Sequence, residues 1–150
     1  TSRTPTEELS LEEWKHVLDV NLTGAFLCSR EAFKMMKRQR SGRIINIGSI
    51  SAKVPRPNNA PYTTSKFALE GLTRSLALDG RDYGIAVSIL HPGNTLTQLW
   101  QGNEDKVQKE GIMSPDVLAR VAVLMAALPH GVNMFEGILL PVSMPFLGRG

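Results

Sequence analysis

Apolar residues recur every three or four positions between Leu11 and Met36: Leu11, Trp14, Leu18, Leu22, Ala25, Ala32, Phe33 and Met36 fall on one stripe. That spacing is helical. Ser10-Leu-Glu-Glu13 opens the helix as a capping box, with serine at the N-cap and glutamate at the third helical position. Gly24 marks a bend point, and Asn21 interrupts the stripe as a polar residue beside Leu18 and Ala25. The pattern then changes period. Ile44 to Ile47 is a short run, apolar on both faces, as a central strand of a parallel sheet reads. A Pro- and Asn-rich connection leads to a second helix over about Tyr62 to Asp79, striped by Leu69, Leu72 and Leu76. Ile85 to Leu90 is a second buried strand, closed by His91-Pro92-Gly93. Ser114-Pro115-Asp116 opens a third helix with a cap, a proline at the first position and an acid in the first turn. Glu136 to Val142 is a last apolar strand, and the polar, weakly patterned residues 97–111 read as a mobile segment.

Helices and strands alternate, which predicts a parallel sheet with helical crossovers. The expected fold is α/β: a partial doubly wound, Rossmann-type parallel sheet of about three strands with covering helices. No internal repeat or low-complexity block interrupts it.

Composition changes this picture little. The 150 residues suit one domain, and 42% hydrophobic with 21% charged residues is ordinary for a globular protein. The net charge of +3 is concentrated in Lys34 to Arg43. No aromatic residues interleave with those cations, so they read as a helix C-terminus complementing the macrodipole, stopped at Gly42, and not as a nucleic-acid surface. The single cysteine, Cys28, excludes an intrachain disulfide and a cysteine-based metal site, and its apolar neighbours predict burial. His16, His91 and His130 lack the spacing of a metal site. No apolar run is long enough for a membrane span and no signal pattern opens the chain, so the expected setting is the cytoplasm.

The candidate chemistry lies in "APYTTSKFALEG". Tyr62 and Lys66 stand four residues apart and share one helical face. A tyrosine hydroxyl in isolation ionises near pH ~10, and an adjacent ammonium favours the phenolate, bringing such a phenol toward acid–base work. Ser49 lies 13 residues earlier, just past the first strand, where doubly wound sheets assemble their sites. A hydroxyl there can bond the substrate oxygen that Tyr62 protonates. "HPGNTLT" adds Thr95 and Thr97 beyond the second strand, with Pro92-Gly93 shaping the backbone. Arg56 and Asn58 border the connection between Ser49 and Tyr62. Glycine inside a helix costs about 1 kcal/mol, so Gly71 predicts the close approach of another backbone.

Together "VNLTGAF", "GRIINIGSISA", "YTTSKFALEGLTRSLALD" and "ILHPGNTLT" resemble the short-chain dehydrogenase/reductase family in order and spacing, from Ser10 to about Thr97. The resemblance implies an NAD(P)-dependent oxidoreductase that interconverts a carbonyl and an alcohol. Tyr62 would be the general acid/base, Lys66 would assist it and bond the nicotinamide ribose, and Ser49 would steady the substrate oxygen. Asn21 would anchor a water relay to Lys66 at a local helix distortion. Pro92, Gly93, Thr95 and Thr97 would line the cofactor, NAD or NADP, and no metal is implied. Threonine at 95 keeps the β-branching common in the family.

The family's glycine-rich phosphate loop and its Asn-Asn-Ala-Gly segment do not occur in these 150 residues. Residues 1–150 are therefore expected to form the C-terminal catalytic half of a single NAD(P)-binding Rossmann-fold domain. The alternative is a catalytically inactive, truncated member acting as an oligomerisation partner. Partners implied are a small-molecule carbonyl or alcohol and further copies of the chain, a homodimer or homotetramer through the two long helices, without nucleic acid or membrane. The residues from Gln98 to Met113 would choose the substrate, with Trp100 as an apolar contact.

Overall fold

The computed structural model describes residues 3–97 and 109–147. Helix α1 (Leu11–Leu18) starts as the capping box predicts, with the Glu13 N–H donating to Ser10 Oγ at 3.1 Å. It continues not through a bend at Gly24 but through a π-helical turn over Asp19–Thr23, where the Gly24 N–H reaches five residues back to Asp19 O. Helix α2 (Gly24–Gln39) follows. Its stop is Arg40, left-handed at φ 55°, and not Gly42, which already belongs to the first strand. The basic end is occupied: Lys37 and Arg40 lie over the Tyr83 ring, at 4.0 and 5.3 Å from its centroid.

Strand β1 (Gly42–Ile47), helix α3 (Ala60–Gly80), strand β2 (Ile85–Pro92), helix α4 (Pro115–Ala126) and strand β3 (Glu136–Leu139) complete the order. The sheet is parallel throughout and ordered β1-β2-β3, with Ile44 opposite Val87 and Leu90 opposite Gly137. Helix α3 packs on β2, while α2 and α4 both contact β1. This is a three-stranded parallel sheet flanked by helices, the arrangement of a doubly wound fold.

The centre of the sheet is β2 and not β1. Val87, Ile89 and Leu90 are fully buried, whereas Ile47 at the edge remains 44% exposed, because β1 has a neighbour on one side only among the described residues. A buried tie joins sheet to helix. Asn46 donates to Thr73 Oγ1 at 2.9 Å, and Thr73 donates to Leu69 O at 2.8 Å, one turn back along α3. One further expectation fails. Cys28 is exposed, since its stretch of α2 faces away from the sheet together with Phe26 and Leu27. A Cβ at Gly71 would meet nothing within 4 Å, so among the described residues no backbone of this chain is the one that approaches that glycine. No described helix is long and apolar enough to cross a membrane.

Candidate active site

The C-terminal ends of β1 and β2 open onto a cavity of about 540 Å³. Parallel strands all point their C-terminal ends the same way, so the residues just past two neighbouring strands must meet, which is how doubly wound sheets build their crevices. Ser49 enters past β1. Its Oγ accepts from the Ser51 N–H at 3.1 Å, which caps the single helical turn Ile50–Ala52 and fixes the side chain in a buried position.

Tyr62 and Lys66 enter from the first turns of α3, and both line the cavity. Pro61 begins that helix without needing a hydrogen-bonded N–H. Lys66 Nζ donates to Ile47 O at 3.0 Å and stands 5.5 Å from the centroid of the Tyr62 ring. Burial pulls the Lys66 ammonium below the ordinary lysine range, because water that would solvate the charge is excluded. An ammonium carries three N–H groups, and Ile47 O is the one acceptor of Lys66 among the described residues, at the β1 end of the cavity that Lys66 lines.

Pro92, Gly93, Thr95 and Thr97 form the opposite wall. Thr95 Oγ1 donates to Gly93 O at 3.2 Å, and Thr95 pairs with Met113 in an isolated parallel bridge. Arg56, from the loop before α3, closes one side of the cavity. Its guanidinium meets Glu110 Oε2 at 2.6 Å and Asn94 Oδ1 at 3.4 Å. Asn58, in contrast, is absent from the cavity wall and takes a left-handed φ of 56°.

Asn21 does not reach the cavity. Its Nδ2 donates to Ser65 Oγ at 3.1 Å, and the Ser65 hydroxyl donates in turn to Tyr62 O at 2.7 Å. The π-helical turn thus braces the first turn of α3 through a serine that is fully buried. Sequence reasoning passed over Ser65, although its place between Tyr62 and Lys66 on a helix starting there turns it inward. It also passed over Asn94, whose Nδ2 donates to Glu110 Oε2 and Gly111 O, and Asn59, whose buried Oδ1 has no partner among the described residues. Gln98 and Trp100 lie outside the described residues.

The short chain dehydrogenase family model matches residues 1–108. The chain is 44% identical over 92 residues to glucose 1-dehydrogenase 2 of Bacillus subtilis, covering 61% of this chain and 36% of that protein. It is also 44% identical over 143 residues to an uncharacterized oxidoreductase of Thermotoga maritima, covering 95% and 49% respectively. Among solved structures, one from Beutenbergia cavernae, described as an NAD(P) dependent gluconate 5-dehydrogenase and holding NADP at low occupancy, superposes with a TM-score of 0.82 at 33% identity. That alignment covers 91% of this chain and 59% of the other. This chain therefore spans between about one third and one half of the curated relatives' length. The family match corrects one expectation. It takes in the N-terminal residues from the first onward, so the likeness is not confined to a C-terminal catalytic part of the family. With its parallel sheet, its cavity at the strand ends and a match over 108 of 150 residues, the chain belongs to the short chain dehydrogenase family.

Proposed function

We propose that the chain serves an NAD(P)-dependent oxidoreductase interconverting a small-molecule carbonyl and alcohol, with Tyr62 as general acid/base. One observation carries the reading: a phenol and a cation from α3 and a serine hydroxyl from the turn after β1 line one cavity at the ends of parallel strands. Its volume, about 540 Å³, lies within the range of small-molecule sites.

The donor set suits a nicotinamide ribose. Lys66 offers N–H groups beyond the one bonded to Ile47 O among the described residues, while Thr95, Thr97 and the Pro92-Gly93 backbone offer uncharged polar contacts on the facing wall. NAD or NADP, when bound, supplies or takes up the hydride. In reduction the Tyr62 hydroxyl gives its proton to the carbonyl oxygen as the C–H bond forms, and the resulting phenolate faces the Lys66 ammonium. In oxidation Tyr62 takes the proton back. Ser49 holds the same oxygen through its hydroxyl. Asn21 acts from behind, through Ser65, by fixing the turn that carries Tyr62.

The exposed apolar residues Phe26, Leu27 and Met35 on α2, with Phe67 and Leu78 on α3, support self-association through these two helices. The deciding experiment is Tyr62→Phe in a carbonyl-reduction assay. Loss of a positioned acid/base should lower kcat by roughly 10²- to 10⁴-fold while binding of NAD(P)H, followed by its fluorescence, is retained. Unchanged turnover would remove Tyr62 from the chemistry.

A further inference from the structure

Next to Ser49 lies a half-buried charged cluster gathered round one buried histidine. His91, near the end of β2, is fully buried, and its Nε2 has no hydrogen-bond partner among the described residues. Nε2 faces two carboxylates, 3.6 Å from Glu136 Oε1 and 3.9 Å from Glu70 Oε2. Glu136 begins β3, and Glu70 lies one turn beyond Lys66 on α3. These three ligand atoms lie within 4.8 Å of one another, close enough to share a divalent ion. The cation position is already taken. Lys53 Nζ sits 2.7 Å from Glu70 Oε2 and 2.7 Å from Glu136 Oε1, and Arg74 adds a second positive charge at 2.7 Å from Glu70 and 3.4 Å from Glu136.

On its other edge the imidazole touches the Ser49 backbone. Nδ1 is 3.2 Å from Ser49 N and 2.9 Å from Ser49 O, so a neutral ring can accept from one or donate to the other. The buried groups decide between these. Ser49 O already accepts from the Ala52 N–H at 3.0 Å, whereas the Ser49 N–H has no other acceptor among the described residues. With the proton on Nδ1, the Ser49 N–H would be stranded and the Nε2 lone pair would face two carboxylates. With the proton on Nε2, the Ser49 N–H is satisfied by Nδ1 and the ring presents a positive N–H edge to Glu136 and Glu70. Buried polar groups are very rarely left unpaired, and each such loss costs about 1–3 kcal/mol.

We propose that His91 is a positioning residue, held as the Nε2–H tautomer by the Lys53–Glu70–Glu136 cluster so that its Nδ1 anchors the Ser49 N–H and thereby sets the Ser49 hydroxyl. The inference rests on the proposed role of Ser49 in the site. Burial, outweighing the hydrogen bond that a protonated ring would give the Ser49 carbonyl and the pull of the neighbouring carboxylates, keeps the imidazole pKa below its ordinary value, so the acceptor lone pair persists at neutral pH. Protonation would put a hydrogen on Nδ1 against the Ser49 N–H and break the anchor. The charged groups facing the ring, Lys53, Glu70, Glu136 and, behind them, Arg74, include two cations and two anions.

Long-range 1H–15N spectra of the labelled chain at pH 7.5 read the tautomer directly, with His91 assigned by its loss in His91→Asn. The expected result is a protonated Nε2 and an unprotonated Nδ1; an Nδ1–H tautomer, or rapid exchange of the two, would overturn the proposal. Asparagine carries an acceptor near the place of Nδ1, so the Ser49 amide resonance should stay near its position in His91→Asn and move upfield in His91→Leu. Equal Ser49 shifts in the two variants would also overturn it. Addition of Mn2+ should leave the His91 signals sharp, and their selective broadening would instead identify a metal site. None of these readings needs turnover. If they come out as expected and Tyr62→Phe leaves activity intact, only the functional reading fails.

Discussion

Lys66 is a cation in surroundings that resist charge, and this conflict is its usefulness. A single carbonyl, Ile47 O, replaces part of its hydration, and burial favours the neutral amine. The amine should therefore lose its proton at a lower pH than a fully exposed lysine. Competitive acylation of the chain across pH, read by mass spectrometry, should show Lys66 reaching half of its maximal labelling before the exposed lysines do; a coincident profile would mean that the ammonium is solvated as well as theirs. Tyr62 and Lys66 were legible from the four-residue spacing, and Ser49 from its place after a strand. The helix distortion at Asn21 was legible too, but its bond to Ser65 was not. Its partner, Ser65, lies 44 positions away in sequence, and only the π-helical turn, which rotates the helix face locally, aims the amide at it. Cys28 misled for a related reason: beyond that turn the apolar neighbours of α2 no longer mark its inner face.

At the level of elements, order and type followed from period and capping, but the rank of the strands did not. Ile44, Ile45 and Ile47 look as apolar as the residues of β2, and nothing local says which strand has two neighbours. The polar residues carry that information. Asn46 is buried and spent on Thr73, whose hydroxyl is in turn spent on Leu69 O, so one side-chain relay fastens β1 to the middle of α3. Thr73→Val keeps the shape and removes both bonds, leaving the Asn46 amide unpaired in the interior. The expected loss is about 1–3 kcal/mol in chemical denaturation. Thr73→Ser, which restores the hydroxyl, should recover most of it; a neutral Thr73→Val would mean that Asn46 finds another acceptor.

For the whole molecule, the cluster around His91 joins three separate pieces: the loop after β1 through Lys53, α3 through Glu70 and β3 through Glu136. Burial alone would pull Lys53 down and push Glu70 up, yet the opposed charges outweigh it, so Lys53 is held above its ordinary range and Glu70 below. His91 goes the other way, held below its ordinary value of 6.5. A depressed folded pKa means that the unfolded chain binds the proton more readily. The stability gained from neutral His91 is thus present above about pH 6.5 and lost as pH falls toward the lower folded value. Thermal melting should shift to lower temperature across that acidic window, and His91→Asn should flatten the shift. A slope unchanged in the variant would assign the effect to other groups.

Gly48 gives the site part of its shape. A Cβ on residue 48 would lie 2.5 Å from His91 Nδ1 and 2.8 Å from Cε1, against a ring that is fully enclosed and cannot swing aside. Positions 48 and 91 are consequently coupled by volume: a side chain at 48 fits only where the imidazole at 91 gives way to something smaller.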